Sequence, residues 1–291
     1  MFLHVEFSAA RSSTRARSTG LSTNRRRTRS RALRGPERGL RVKLESILQY
    51  LDAYLGVSGH PDYPVALNGL QVEGPTEVQR ICTAVDASEA AIEAAAAGGA
   101  DLLIVHHGLF WDGLRPVTGR RYRKLASLIR ANVALYSVHL PLDAHPEVGN
   151  GAVLARAMGV EPTGRWGRYQ GVEIGWWGET DQPRDELLAR ASAALGGPVR
   201  LHGAGPDPVR RVGVITGSGA SFLEEAARLG LDTLVTGEGA HHSAIDAVEL
   251  GINLVYGGHY ATETFGVRAL AQHLADRFAL EHEFLALPTG T

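Results

Sequence analysis

The sequence predicts an α/β fold: two pseudo-symmetric βαβ-type lobes, related by internal duplication, with largely parallel or mixed sheets. Three observations predict it. From residue 80 onward short apolar runs alternate with helical stretches, the pattern of βαβ units with right-handed crossovers. That pattern occurs twice. With Arg80 set against Arg211 and read forward without gaps, Ile81 meets Val212, Ile92 meets Leu223, Gly99 meets Gly230, Asp101 meets Asp232, and Leu103-Ile104 meet Leu234-Val235. Both copies also finish a third strand in a histidine followed, after three intervening residues, by an acid: His139 with Asp143, and His259 with Glu263.

The first segment, 1–41, holds eleven arginines, many Ser and Thr, and only Glu6 and Glu37 as acids. It cannot bury enough apolar surface to fold, so a disordered leader is expected. It reads as an Arg-rich transit peptide, a basic nucleic-acid arm, or an artefact of an upstream start, with translation beginning near Val42. The abrupt onset of ordered patterning at Val42 favours the artefact. Next, Leu44, Ile47, Leu48, Leu51 and Leu55 recur at helical spacing and Gly56 stops the helix. Asn68 to Gly74, bracketed by Pro64 and Pro75, reads as a turn and a short strand. A strand over 81–85, an Ala-rich helix over 88–97 stopped by Gly98-Gly99, and a strand over 102–105 follow. A helix over 122–130 then leads to a strand over 133–138. These elements make the first lobe, 42–164.

The stretch from Arg165 to Gly178 carries three tryptophans and several glycines and reads as a change of domain. The second lobe, 165–291, takes a helix over 184–195, short strands near 199–202 and 212–216, the repeated strand–helix–strand unit, and a strand from Asn253 to Gly258. Its C-terminal helix is expected to pack back on the first lobe. The net charge is −1, and without the leader the chain is acidic, which argues against nucleic acid as a partner. The one cysteine, Cys82, sits inside an apolar run and reads as a core residue. Disulfides within the chain and thiolate zinc sites are excluded. No apolar run is long enough to span a membrane.

The chemistry gathers at strand ends. Leu102-Leu103-Ile104-Val105 runs directly into His106-His107-Gly108, and ligands of open α/β sheets bind beyond the carboxyl ends of strands. Consecutive side chains near a strand end point different ways, so the pair suits two ions better than one. The alternative is one solvated loop histidine and one satisfied polar group. A histidine and an acid four residues apart share a helical face; for His139 with Asp143 and His259 with Glu263 the alternative is a polar pair at a helix start. All of these groups fall just past predicted strand ends. Mixed imidazole and carboxylate donors suit Zn, Fe, Mn or Ni. Five such ligands hold two divalent ions per subunit if one carboxylate bridges, and two ions about 3.5–4 Å apart activate a shared water.

Asn68-Gly69-Leu70-Gln71-Val72-Glu73-Gly74, His106-His107-Gly108, His139-x-Pro-x-Asp143 and Gly258-His259-Tyr260-x-Thr-Glu263 occur in that order. Together they resemble the dinuclear-metal hexamer family, also named GTP cyclohydrolase I type 2 homologues or NGG-interacting-factor-like proteins, from Val42 to the C-terminus. The resemblance implies a two-lobed protomer, a toroidal homohexamer and a two-metal site facing its central cavity. It implies His106, His107, Asp143, His259 and Glu263 as ligands, with Glu263 bridging. It also implies a metal-dependent hydrolase of a small-molecule substrate, GTP by the family name, with metal-activated water attacking a purine ring or related bond. Many members carry a further domain between the halves; the stretch 165–208 is too short for it.

His139 and Glu238 are the candidate catalytic residues. His139 either orients Asp143 or exchanges a proton with substrate. Glu238 and His242, in Gly237-Glu238-x-x-x-His242, match a family pattern; they are placed near the site or cap the following helix. Arg115, Arg120, Arg121 and Lys124 meet phosphates or form a solvated helix face, and no Gly-x-x-x-x-Gly-Lys-[Ser/Thr] loop is present. His145, His202 and His241 read as surface or loop residues, and the four tryptophans as packing or subunit contacts. Two other functions fit the same residues: a ring-shaped metal-binding adaptor without turnover, and a metal-dependent phosphoesterase. Five ligands leave open positions on two ions, which favours catalysis. The expected location is cytoplasmic, or an organelle if the leader is a real transit peptide.

Overall fold

The computed structural model describes residues 41–111 and 113–290, so the leader assigned to 1–41 lies outside the described residues apart from Arg41. The architecture is mixed α/β around two large sheets. In the first sheet the strands lie in the order Glu281–Phe284, Arg80–Asp86, Leu102–His107, Ala134–Ser137, Gly69–Val72. The first four are parallel and the last is antiparallel. In the second the order is Gly164–Tyr169, Val172–Gln182, Val209–Val214, Thr233–Thr236, Asn253–Tyr256, Arg200–His202. Its three strands Val209–Val214, Thr233–Thr236 and Asn253–Tyr256 are parallel and the flanking ones antiparallel.

The apolar runs explain the layering. Successive side chains of a strand face opposite sides of a sheet, so an uninterrupted apolar run needs cover on both. Leu102 and Ile104 pack with Ile47, Leu51 and Leu270 on one side. Leu103 and Val105 pack with Ile92 and Leu128 on the other. The helix Leu44–Leu55 supplies part of the first cover through Leu44, Ile47, Leu51 and Leu55, and Gly56, at φ 64°, closes it in the left-handed conformation. The helix Thr264–Phe278 supplies the rest through Val267, Leu270, Ala271 and Leu274. Since Glu281–Phe284 pairs with Arg80–Asp86, the last elements of the chain belong to the first sheet.

The correspondence between the two halves extends to their hydrogen bonds. Ile81 pairs with Leu102, and Val212 with Thr233, in the same register as the ungapped sequence match. Asp101 Oδ2 accepts the amides of Gln79 and Arg80, and Asp232 Oδ2 accepts those of Arg210 and Arg211. The Trp- and Gly-rich stretch after residue 164 is a hairpin, Gly164–Tyr169 with Val172–Gln182, at the edge of the second sheet. Trp166 is core.

Both sheets direct the carboxyl ends of their parallel strands to one place. His106 and His107 are the last two residues of Leu102–His107, within the strand rather than beyond it. His139 follows Ala134–Ser137, Thr216 and Gly217 follow Val209–Val214, Glu238 follows Thr233–Thr236, and His259 follows Asn253–Tyr256.

Candidate metal centre

Four histidines meet at this junction, and each uses Nδ1 to bind outward. His106 Nδ1 lies 3.0 Å from the Val138 carbonyl oxygen. His107 Nδ1 lies 2.9 Å from Asp86 Oδ1. His139 Nδ1 lies 2.8 Å from Asp62 Oδ1, and His259 Nδ1 lies 2.7 Å from Glu238 Oε1. A carbonyl or a carboxylate only accepts, so each Nδ1 carries the proton and donates. Every Nε2 is then the ring atom left to face a cation. The ligating atoms of His106, His107 and His139 lie within 4.8 Å of one another, as do those of His107, His259 and Glu263.

Glu263 sits at the centre, almost fully buried. Its two oxygens face different histidines: Oε1 is 3.7 Å from His106 Nε2, while Oε2 is 3.6 Å from His107 Nε2 and 3.2 Å from His259 Nε2. Asp143 Oδ2 is 3.5 Å from His106 Nε2. The other Asp143 oxygen is fixed by Asn150 Nδ2 at 2.8 Å and Thr216 Oγ1 at 3.2 Å. His106 Nε2 and Glu263 Oε2 are buried without a hydrogen-bond partner. Orphaned buried polar atoms are costly. Ligands held about 2.0–2.2 Å from one ion stand a little over 3 Å apart, so these spacings fit donors arranged around a divalent cation.

The protonation pattern agrees. Burial alone would lower His106, but the charges of Asp143 and Glu263 outweigh it and hold it well above the ordinary histidine value. His259 is pushed up to about 9, first by the Glu263 carboxylate, whose Oε2 lies 3.2 Å from its Nε2, with burial opposing and Glu238 adding. Burial would raise Glu263 and Asp143, yet His106 above all keeps both below the usual carboxylate range. His139 is held low by burial, against its hydrogen bond to Asp62, and so is neutral. The carboxylates are thus ionised, and in the metal-free chain protons on His106 and His259 neutralise them. A cation must displace those protons. Metal affinity is therefore expected to rise with pH through the neutral range until about pH 9, where His259 deprotonates. Each displaced proton changes it about tenfold per pH unit. Chelator competition at about pH 6 and about pH 8 checks this; affinity independent of pH would contradict it.

Of the residues singled out in the sequence, His106, His107, His139, Asp143, His259 and Glu263 converge, and Glu238 stands behind His259. His242 lies outside, at the start of the helix Ser243–Leu250, with no capping bond from its side chain. His145 is buried rather than a surface residue: its Nδ1 accepts the amides of Glu147 and Val148, and its Nε2 donates to the Tyr54 carbonyl. Asp62 and Asp86 are supporting acids with no sequence motif of their own. Replacing Asp86 by Ala is expected to weaken metal binding about 10–100-fold, because His107 loses the acceptor that fixes its ring. Chelator competition reads the change, and an unaltered affinity would show that Asp86 plays no such part.

The centre opens into a cavity of about 650 Å³ lined also by Tyr63, Trp111, Tyr169 and Lys124. This volume is that of a small-molecule site. Trp111, expected to pack or meet another subunit, lies with its ring 4.7 Å from that of His139 and 5.4 Å from that of His107.

Residues 42–289 match the family model described as Duf34/NIF3 (NGG1p interacting factor 3). A protein of Deinococcus radiodurans named GTP cyclohydrolase 1 type 2 homolog is 44% identical over 250 residues, 84% of this chain and 94% of that protein. One of the same name from Pyrococcus abyssi is 41% identical over 252 residues, 86% of this chain and 100% of its own length. A crystal structure from Thermus thermophilus superposes with a TM-score of 0.78 at 41% identity, covering 86% of this chain and 100% of that one.

Proposed function

The chain belongs to the Duf34/NIF3 family, and from that premise we propose that it is a metal-dependent hydrolase with two divalent ions per subunit. One observation carries the reading: three imidazole Nε2 atoms, of His106, His107 and His259, surround a buried glutamate whose two oxygens face different histidines, the arrangement a bridging carboxylate takes. His106, His107, Asp143, His259 and Glu263 are the ligands, and Zn, Fe, Mn or Ni suits this donor set. When bound, such a pair supplies Lewis acidity and a stronger nucleophile from water at neutral pH.

The chain's own residues do the rest. Asp62, Asp86, Glu238 and the Val138 carbonyl fix the four imidazoles in one tautomer and so prevent their Nε2 lone pairs from turning away. Asn150 and Thr216 hold Asp143. His139, neutral and hydrogen-bonded to ionised Asp62, is the group best placed to take a proton at Nε2 and return it. Glu238 acts through His259 rather than on substrate.

The names of the relatives suggest GTP as substrate, with water attacking a purine ring or related bond. The subunit, in this reading, has one lobe over 42–164 and another over 165–291, descended from a duplication, and assembles as a hexamer working in the cytoplasm. Among the described residues no helix is long and apolar enough to cross a membrane. The test is formate release from GTP by metal-loaded and chelator-treated protein. Metal-dependent release supports the reading. Ions bound without release would discard GTP, and turnover of no heterocyclic or phosphorylated compound would favour the adaptor reading.

A further inference from the structure

Asn150 is fully buried at the first position of the helix Asn150–Ala157. Its side chain reaches away from that helix to two other elements. Its Nδ2 donates to Asp143 Oδ1 at 2.8 Å, and its Oδ1 accepts the Gly266 amide at 2.5 Å. A carboxylate accepts and a backbone N–H donates, so the side-chain amide fits in one orientation only and both of its ends are engaged. Gly149 lets the helix start lie this close to Asp143. A Cβ on Gly149 would stand under 3.0 Å from the backbone oxygens of His145, Leu142 and Asp143.

The bond to Gly266 replaces one that Glu263 does not make. Glu263 is the N-cap of the helix Thr264–Phe278, and its side chain forms no capping bond. An N-cap side chain ordinarily accepts the amide of the second or third helical residue. The Glu263 oxygens are turned instead to His106, His107 and His259. Gly266 is the third residue of that helix, and Asn150 accepts its amide from outside. A Cβ on Gly266 would stand 2.9 Å from Asn150 Oδ1, so the approach depends on glycine there. One buried side chain thus binds both Asp143 and the start of the helix that Glu263 opens.

We propose that Asn150 is a positioning residue that couples the two metal positions: it holds Asp143 at one end and the Glu263 helix at the other, so that the affinity for each ion depends on the other. This rests on the two-ion reading above and adds the residue that links the ions through the protein. Once Asp143 is fixed by an ion, Asn150 is fixed too, and with it Gly266 and the helix start from which Glu263 projects. Such coupling is reciprocal and typically changes affinity by about 5–150-fold. Thr216 provides the comparison. Its Oγ1 donates to the same Asp143 oxygen at 3.2 Å, and among the described residues that hydroxyl bonds Asp143 alone.

The test is calorimetric titration of chelator-treated protein with Zn²⁺, read as the ratio of the second stepwise binding constant to the first, with circular dichroism on each variant. Repulsion between the ions is common to all variants and cancels in the comparison. Asn150→Ala is expected to lower the ratio about fivefold or more. Gly266→Ala should act in the same direction, because its methyl displaces the Asn150 oxygen, even though alanine suits a helix better than glycine. Where Asn150→Ala fails to fold or binds no metal, Gly266→Ala decides alone. Thr216→Val should weaken metal binding and leave the ratio unchanged. A ratio unaltered in the deciding variant overturns the proposal, and so does a ratio lowered equally by Thr216→Val. Either result is read with two ions bound and leaves the two-ion reading standing. A wild-type chain that binds fewer than two ions fails that reading instead, and the coupling falls with it.

Discussion

Glu263→Gln is expected to abolish stable metal binding while leaving the chain folded. The substitution keeps the shape of the side chain and removes its charge. Both Glu263 oxygens are turned to imidazoles, at 3.2 to 3.7 Å, so the loss falls on every ion the carboxylate contacts. The affinity should drop by more than the roughly 10–100-fold typical of groups that merely support a ligand. The fold should survive, because Glu263 lies just before the helix Thr264–Phe278, whose packing against the first sheet rests on Val267, Leu270 and Leu274. The variant should also bring the pKa of His259 down from about 9, since Glu263 is the first cause of its rise. Elemental analysis and circular dichroism check the pair of outcomes. Full metal content, or loss of the folded state along with the metal, would contradict the assignment.

Gly217→Ala is expected to damage the same centre through the backbone that follows Val209–Val214. Gly217 has φ +63°, in the left-handed region, and a Cβ there would stand under 3.0 Å from Glu263 Oε1. The backbone cannot yield. The Gly217 N–H donates to Thr262 Oγ1, and its carbonyl accepts from the Gly237 and Glu238 amides and from Thr236 Oγ1. The new methyl must push Glu263 aside. Metal affinity should fall about tenfold or more, as when a ligand is mis-set by its support. The metal-free chain should lose about 1–3 kcal/mol to backbone strain and crowding. Gly196→Ala is the control: its φ is +71° with nothing within 4 Å of the added atom, so it should cost stability by a similar backbone mechanism and leave metal binding unchanged. Chelator competition and thermal unfolding of both variants decide. Equal metal affinity in the two would show that the Gly217 contact does not matter.

Much of this was legible in the residues because burial on both faces writes an uninterrupted apolar run. Leu102 to Val105 carries its strand assignment for that reason, and the spacing of Leu44, Ile47, Leu51 and Leu55 carries the helix. The hairpin after residue 164 was not legible. Gly175 and Gly178 break its pattern, and both are required by close packing: a Cβ on Gly175 would strike Ile215, and one on Gly178 would strike the Val160 side chain and the Glu161 backbone. A glycine chosen for proximity erases the alternation that marks a strand.

The histidines and the two central acids stood out because they lie at or just after strand ends. Their supports did not. Asp86 ends Arg80–Asp86, so the strand-end rule applied there would have found it. Asp62 lies in a loop whose position is set by tertiary bonds, from Asn68 and from the amides of Tyr63 and Leu140, and no local pattern marks it. Trp111 reads as packing for the same reason: what an aromatic ring faces is decided by the loop that carries it.

The most direct measurement is the number of divalent ions bound per chain, obtained by titrating chelator-treated protein with Zn²⁺ or Mn²⁺ and confirmed by elemental analysis. The arrangement around Glu263 predicts two. One ion per chain would contradict the bridging role of Glu263, and none would contradict the metal centre itself.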